Sequence, residues 1–415
     1  MFASWRVAVS STRRCLATTA VAAAEGIPEV VIASAARTPI GSFSGSLSSI
    51  PCPKLGSIAI KGALERAGVD VENVDEVIMG NVISAGSGQA PARQAAIGAG
   101  CKPSTVCTTV NKVCASGMKA IMLGAQSIQL GHSDVVVAGG MESMSNIPYI
   151  MRSARTGSGY GHQMVEDLLL ADGLTDAYDN IHMGVCAEDA AEKHHVSRED
   201  QDEYALASYA RSAAAAEDGR LAKEIVPVEV KTRRETKIVD MDEEYKNLNA
   251  EKVPTLRAVF KDGGTVTAAN ASKLNDGAAA VVLMSREEAE KEGVTPIARI
   301  VGFADAEGPP IEFPTAPAKA VEKVLKRTGL SKDDIALWEV NEAFAVVALA
   351  NQKLVGIDAE KLNPNGGAVA LGHPIGMSGA RLTGSLAHQL KPGEFGCASI
   401  CNGGGGASAI IIEKL

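Results

Sequence analysis

The residues of this chain that are best suited to chemistry are two cysteines and one histidine, far apart in the sequence. Cys114 lies in Asn-Lys-Val-Cys-Ala-Ser-Gly-Met, His373 lies in Leu-Gly-His-Pro-Ile-Gly, and Cys401 opens into four consecutive glycines. A thiolate is a good nucleophile, and an imidazole can take up and return a proton near neutral pH. Two thiols and one imidazole would therefore suffice for acyl transfer coupled to carbon–carbon bond chemistry.

Cys114 precedes a segment whose apolar residues have helical spacing, so residues 115–130 are predicted to form a helix. A cysteine at a helix N-terminus lies at the positive end of the dipole, which favours the thiolate, and its backbone N–H can bind an oxyanion. The alternative is a small buried thiol without chemistry, the usual state of a free cysteine. That alternative is kept for Cys15, Cys52, Cys101, Cys107, Cys186 and Cys397.

Glycines surround both other candidates, and glycine allows a backbone to approach a ligand closely. Gly372 and Pro374 hold the ring of His373 between two turns, with Gly376 and Gly379 following. Cys401 ends a predicted strand at 398–400, and the amides of the next four glycines form a nest suited to negative charge. A dinucleotide-binding interpretation of these glycines is disfavoured because no helix follows them.

The remaining polar candidates have weaker surroundings. Asn341 follows a predicted strand at 336–340, where its amide can position a water or a carbonyl, or simply cap a turn. His182, in Ile-His-Met-Gly, is an intermediate candidate. The other histidines are interpreted as solvated or structural: His132, His162, His194, His195 and His388. Cys397 and Cys401 have no cysteine–histidine cluster around them, which argues against zinc.

The elements that position these residues alternate between strand and helix patterns, which indicates an α/β layered fold. The predicted elements are a buried strand beginning at Glu29, helices at 54–67, 91–99 and 115–130, and strands at 76–80 and 134–138. From about 141 to 265 polar loops and charged helices, such as 198–217, predict an inserted subdomain over the site. Residues 264–270 and 277–284 again have the hydrophobic pattern of a strand or a buried helix.

The last third of the chain repeats the first at an offset of about 260 residues. Residues 67–81 align with 328–342, and the segment around Gly124–Gly140 aligns with Gly384–Gly403. Chance agreement of helix–turn–strand patterns is the alternative, and a duplicated α/β unit is the simplest explanation.

Composition sets the class and the compartment. With 415 residues, 46% hydrophobic and 21% charged, the chain is typical of a soluble globular protein of two or three units, and its net charge of −9 argues against nucleic acid as a partner. No stretch is apolar for long enough to span a membrane. Residues 1–25 contain three arginines, several hydroxyl side chains and no acid before Glu25, which predicts a mitochondrial transit peptide rather than a merely disordered tail.

Four motifs taken together resemble the thiolase family. They are Asn-Lys-Val-Cys-Ala-Ser-Gly-Met-Lys-Ala, Val-Asn-Glu-Ala-Phe, Gly-His-Pro-Ile-Gly-Met-Ser-Gly-Ala-Arg and Cys-Asn-Gly-Gly-Gly-Gly-Ala-Ser, and the similarity runs from about Glu29 to Leu415. The resemblance implies two βαβαβαββ domains in five α-β-α-β-α layers with an inserted loop domain. We place the domains at 26–292, including the loop subdomain at 141–265, and at 293–415.

The resemblance also implies an activity: reversible Claisen condensation of two acetyl-CoA to acetoacetyl-CoA plus CoA, and thiolysis of short-chain 3-ketoacyl-CoA, 2-methyl-branched ones included. In this family Cys114 would carry the acetyl group, and His373 would activate it and, with a water held by Asn341, form one oxyanion hole. Cys401 would be the base, and the N–H groups of Cys114 and Gly403 would form a second oxyanion hole. Such a covalent acyl-cysteine gives ping-pong kinetics.

The binding residues rest on resemblance alone. Coenzyme A contacts are implied for Tyr209, Asn247, Leu248, Asn249, Lys252, Ser272, His182 and Phe344, with no prosthetic group. A potassium ion is implied at Tyr209, Ala268, Ala269, Ala271 and Val369. The family further implies a homotetramer in the mitochondrial matrix, acting in fatty-acid, ketone-body and isoleucine metabolism.

Two other functions are alternatives. A β-ketoacyl carrier-protein synthase of the same fold would use one cysteine with two histidines, whereas this chain offers Cys114, His373 and Cys401. A non-catalytic CoA- or lipid-binding relative would bind acetoacetyl-CoA without thiolysis.

Overall fold

The computed structural model describes residues 26–415, so the predicted transit peptide, residues 1–25, lies outside the described residues. The strands are β1 Val30–Arg37, β2 Gly41–Ser42, β3 Glu76–Gly80, β4 Val106–Val110, β5 Val135–Ser143, β6 Tyr149–Ile150, β7 Glu166–Asp167, β8 Val228–Lys231, β9 Thr236–Val239, β10 Asn275–Ser285, β11 Ala298–Glu307, β12 Ile335–Val340, β13 Phe395–Asn402 and β14 Gly406–Lys414. The helices are α1 Cys52–Ala67, α2 Pro91–Ala99, α3 Ser116–Gln129, α4 Met183–Lys193, α5 Arg198–Glu217, α6 Arg286–Lys291, α7 Ala316–Thr328, α8 Ala345–Val355, α9 Ala368–Leu371 and α10 Ser378–Gln389.

The main sheet consists of two halves joined edge to edge. In the first half the order is β4-β3-β5-β10-β1, with β3 parallel to β4 and β5 and the remaining pairs antiparallel. In the second half the order is β12-β13-β14-β11, with β12 parallel to β13. The halves meet through two residue pairs of β1 and β11, Val31 with Arg299 and Ile32 with Ala298.

The two halves have the same plan, which confirms the duplicated fold. Strand β3 corresponds to β12, β5 to β13 and α3 to α10, at the offset read from the sequence. The first half follows the order β1-α1-β3-α2-β4-α3-β5-β10. In the second half, the strand that would match β4 is reduced to one isolated parallel bridge between Trp338 and Leu362.

Helices α3 and α10 form the layer between the two halves. Helix α3 begins just after Cys114, and α10 begins five residues after His373. Their apolar side chains share one buried core with β10, β13 and β14, while α1 and α2 cover the outer face of the first half. Helix α7 covers the outer face of the second half. The backbones of α3 and α10 lie in direct contact, because a Cβ at Gly117 would stand 2.9 Å from the Ala380 nitrogen.

One predicted element, just after the insertion, differs in the structure. The prediction of a strand or buried helix at 264–270 is wrong, because these residues form turns. The Glu188 carboxylate accepts hydrogen bonds from the N–H groups of Thr265 and Val266, and the Asn270 side chain accepts one from Thr267 N–H. Side chains therefore satisfy the backbone donors that a strand would have used. None of the helices within residues 26–415 is long and apolar enough to cross a bilayer.

Candidate active site

Cys114 lies on a tight turn that leads into α3. Val113, the residue before it, has φ +46°, a left-handed conformation that is costly for a β-branched side chain. Two side chains hold the turn: Asn111 Oδ1 accepts from Val113 N–H at 2.9 Å, and Ser116 Oγ accepts from Lys112 N–H at 2.8 Å and donates to Val113 C=O at 2.6 Å. The strain is thus maintained by local hydrogen bonds and fixes the position of the thiol.

The thiol of Cys114 is protonated at rest. Burial raises its pKa to about 12, although a hydrogen bond from the Gly403 N–H acts in the opposite direction. The expectation that the helix dipole would favour a thiolate is therefore wrong for the resting protein, because desolvation outweighs the nearby donors. Cys114 needs a base to become a nucleophile.

His373 is held as a neutral imidazole that can act as that base. Ser378 Oγ donates its only hydrogen to Pro374 C=O at 2.9 Å, so it accepts from His373 Nδ1–H at 2.6 Å. This network assigns the lone pair to Nε2, which faces the Asn341 amide nitrogen at 3.3 Å. The backbone N–H of His373 donates to Asn275 Oδ1 at 2.9 Å. Burial lowers the imidazole pKa to about 3, below the near-neutral value expected, and keeps Nε2 free of a proton.

Cys401 lies at the end of β13 and is fully buried. Burial raises the pKa of its thiol, and the neighbouring Cys114 raises it further, so the two sulfurs are electrostatically coupled. Part of the predicted glycine nest packs against backbone, because a Cβ at Gly405 would stand 2.7 Å from the Pro309 carbonyl oxygen. Gly403 remains available, since its N–H points to the sulfur of Cys114.

A cavity of about 320 Å³ opens onto these groups. Seven of the residues predicted from sequence line it: Cys114, His182, Ala271, Ser272, Phe344, His373 and Gly403. Asn341 and Cys401 lie buried behind its wall. Among residues 26–415, no donor reaches the buried Oδ1 atom of Asn341, which suits this oxygen to accept a hydrogen bond from a water.

The other predicted binding residues lie outside this lining. Tyr209 and Val369 form a small buried cluster against which Leu248 packs. Asn247, Asn249 and Lys252 are exposed on the irregular segment after β9, and Ala268 is exposed while Ala269 is buried in the 267–270 turn. The predicted contacts thus divide into an inner group at the thiols and an outer group, most of which lies on the inserted subdomain.

Comparison with known proteins agrees with this geometry. Residues 30–287 match the thiolase N-terminal domain and residues 294–414 match the thiolase C-terminal domain. The chain belongs to the thiolase family. It is 62% identical over 389 residues to the mitochondrial acetyl-CoA acetyltransferase of Mus musculus, covering 93% of this chain and 91% of that protein. It is 61% identical over 391 residues to the Homo sapiens protein of the same name, covering 94% and 91%.

Solved thiolase structures have the same fold. The Acat5 thiolase of Ascaris suum, solved in complex with coenzyme A, superimposes with a TM-score of 0.90 at 46% identity and covers 93% of this chain and 100% of that one. The acetyl-CoA acetyltransferase of Bacillus anthracis gives a TM-score of 0.91 at 42% identity, covering 94% and 100%.

Several residues of this thiolase's cavity were missed by sequence analysis. They are mainly apolar and come from distant segments: Met144, Leu170, Leu174, Met183, Phe260, Phe313, Leu274 and Ile375. The only available signal was the apolar run at Leu168–Leu170 inside an otherwise polar insertion. Phe260 stacks on the His182 ring at 4.6 Å between centroids and meets Phe344 edge-on at 6.3 Å, so the insertion supplies an aromatic wall.

The residues predicted to bind potassium are arranged in a way that does not fit a free ion. Lys273 Nζ donates to Ala271 C=O at 2.7 Å and to Val369 C=O at 3.3 Å. The same ammonium group lies 5.5 Å from the centre of the Tyr209 ring. A cation of the chain itself therefore occupies two of the carbonyl oxygens that a potassium ion would need.

Proposed function

We propose that this thiolase is an acetyl-CoA C-acetyltransferase, which condenses two acetyl-CoA to acetoacetyl-CoA plus CoA and catalyses the reverse thiolysis. The observation that carries the proposal is the convergence of Cys114, His373 and Gly403 on one cavity with Cys401 directly behind it. The names of the relatives that are about 62% identical over most of the chain support the same reaction.

In the first half-reaction, His373 Nε2 takes the proton of the Cys114 thiol as the sulfur attacks the thioester carbonyl. The Cys114–acyl bond forms, the bond to coenzyme A breaks, and the leaving thiolate receives the proton from His373. The negative oxygen of the intermediate would lie against the Gly403 and Cys114 N–H groups, since the Gly403 amide is already directed at this sulfur.

In the second half-reaction, the Cys401 thiol would first give its proton to His373 Nε2, and the resulting thiolate would remove a proton from the methyl group of a second acetyl-CoA. The enolate carbon attacks the acetyl group on Cys114, the carbon–sulfur bond breaks, and the released Cys114 thiolate takes up the proton held by His373 Nε2. His373 and a water held by Asn341 would stabilise the enolate oxygen, for which the unpartnered Asn341 Oδ1 offers an anchor.

Coenzyme A would be bound by the outer residues Tyr209, Asn247, Leu248, Asn249 and Lys252 together with Ser272 of the cavity lining, with His182 and Phe344 near the acyl end. The small cavity and its aromatic wall support short acyl chains, including 2-methyl-branched ones. We further infer that the chain acts in the mitochondrial matrix as a homotetramer, divided into domains at 26–292 and 293–415. The mitochondrial names of the relatives support the compartment.

The test separates the two half-reactions. The Cys114→Ala variant should form no acetyl-enzyme with radiolabelled acetyl-CoA, whereas Cys401→Ala should still become acetylated but should not produce acetoacetyl-CoA. Cys107→Ser, which changes a half-buried thiol away from the cavity, is the matched control and should keep full turnover. Normal condensation by Cys114→Ala would refute the assignment.

A further inference from the structure

The Lys273 side chain lies where the wall of the cavity meets the carbonyl oxygens of two separate segments. It lines the cavity between Ser272 and Leu274, and its ammonium group donates to Ala271 C=O and Val369 C=O. The ring of Tyr209 lies on another side of the same group, at a distance typical of a cation–π contact. Two carbonyls and an aromatic face therefore surround one positive charge.

The two carbonyls belong to segments that carry site residues. Ala271 precedes Ser272 and forms an isolated bridge with Phe344, both of which line the cavity. Val369 lies in α9, which ends just before Gly372 and His373. The hydrogen bonds of Lys273 to these two segments thus connect the cavity wall at residues 271–274, called here the acyl-binding wall, with the segment that carries His373.

The charges around Lys273 favour its protonated form. Glu342 is fully buried, and its carboxylate accepts hydrogen bonds from neutral donors: Tyr204 O–H, Ser208 O–H, the Asn363 amide and Val369 N–H. Glu244 is also buried and accepts from the Asn275 amide at 3.0 Å. The charges of Glu244 and Glu342 both act on the Lys273 side chain. The two carbonyl oxygens, the aromatic face and the buried carboxylates therefore all favour an ammonium group at this position.

We propose that Lys273 is a positioning residue whose ammonium group acts as a tethered monovalent cation, so that this thiolase holds its acyl-binding wall and His373 in register without binding potassium. An ammonium group and a potassium ion carry the same charge and are of similar size, and both favour carbonyl oxygens. The positioning role of Lys273 is inferred from its contacts with Ala271 and Val369 alone. Only its effect on turnover rests on the proposed function.

The experiment compares two substitutions of Lys273. Lys273→Ala removes the charge and leaves space next to the carbonyls, whereas Lys273→Met removes the charge but fills the space. Melting temperature and coenzyme A affinity are measured in KCl and in NaCl at equal ionic strength, followed by KM and kcat for acetyl-CoA. Lys246→Ala is the matched control, because Lys246 lies over the ring of Tyr245 without these carbonyl contacts.

The wild type and Lys246→Ala should respond equally to the two salts. Lys273→Ala should show a KM about 10-fold higher in NaCl, as expected for the loss of charged hydrogen bonds, and KCl should restore it and raise the melting temperature. Lys273→Met should show the same rise in KM with no rescue. Potassium-specific stabilisation of the wild type, or an unchanged KM in both Lys273 variants, would overturn the proposal. Melting temperature and coenzyme A affinity can be measured without turnover. They would therefore still test the role of Lys273 if the proposed reaction proved wrong.

Discussion

The thiol of Cys114 and the imidazole of His373 are both uncharged at neutral pH because both are buried. Burial raises the pKa of the one to about 12 and lowers that of the other to about 3. A resting thiolate–imidazolium pair is therefore disfavoured, and the proton passes to His373 only as the sulfur attacks. The tautomer that permits this transfer depends on Ser378, the partner of Nδ1.

Replacement of Ser378 should reveal how much that tautomer contributes. In Ser378→Ala, Nδ1 loses its acceptor, so the alternative tautomer becomes populated and kcat should fall about 10-fold, the lower end of what loss of an orienting partner usually costs. The rate of Cys114 acetylation, followed by rapid quench, is the measurement. Ser385→Ala on the same helix is the control, since Ser385 bonds to Glu224 away from the cavity. An acetylation rate equal to that of the control would show that Ser378 does not set the tautomer.

Lys273 should make substrate binding depend on pH. Its pKa is lowered to about 8, so the ammonium is present below that pH and is lost as pH rises through it. The groups facing it are Glu244, Glu342 and Tyr209, and burial raises the pKa of the Tyr209 phenol, which stays neutral over this range. KM for acetyl-CoA should therefore rise several-fold between about pH 7 and 9 in the wild type.

The Lys273→Met variant provides the comparison for this titration. Its KM should be high at all these pH values, because it has no ammonium to lose. A parallel pH dependence in the variant would assign the titration to another group.

At the scale of elements, α3 and α10 touch through their backbones, and this contact brings the Cys114 turn next to the His373 segment. A Cβ at Gly117 would stand 2.9 Å from Gly376 C=O, and one at Gly379 would stand 2.6 Å from Met118 N. Gly379, which follows His373, therefore serves helix packing and not only ligand access as the sequence suggested. The distance between the two catalytic segments depends on the absence of these side chains.

Gly117→Ala should therefore reduce the free energy of unfolding by about 1–3 kcal/mol, the usual cost of overpacking, despite the higher helix propensity of alanine. Gly384→Ala in α10 is the matched control, because its new Cβ would meet only the Ala35 methyl group, at 3.2 Å. Chemical denaturation of both variants gives the comparison. Equal stability of the two would indicate that the helices can separate freely.

The elements with strong local signals could be predicted from sequence at their actual bounds. Helix α2 begins at Pro91, and α5 begins after Ser197, whose side chain forms a capping box with Asp200. The turns at 264–270 could not be predicted, because Glu188, distant in sequence, satisfies their backbone donors. For the same reason the sequence located the thiols, the imidazole and two rings of the aromatic wall, but not Phe260 or the contacts of Lys273, which depend on long-range packing.

At the scale of the whole molecule, the site depends on how two duplicated halves are aligned. Lys112, two residues before Cys114, reaches across to the second half, where its ammonium group bonds to Glu307 at 2.9 Å and to the Asn402 side chain at 2.8 Å. Asn402 stands between Cys401 and Gly403. The contact therefore connects the nucleophile's turn to the segment that carries the second thiol and the oxyanion donor.

Lys112→Met should impair catalysis much more than stability. The loss of partly exposed ion pairs should change the free energy of unfolding by about 1 kcal/mol or less, whereas a small displacement of Gly403 relative to Cys114 should lower kcat on the order of 10-fold or more. The control is Lys119→Met, because Lys119 also bridges the halves, bonding to Asp305 at 2.7 Å, but does so from within α3. It should lose similar stability and keep its kcat. If both variants lost activity equally, general alignment of the halves, and not the Asn402 contact, would set the geometry between the two thiols.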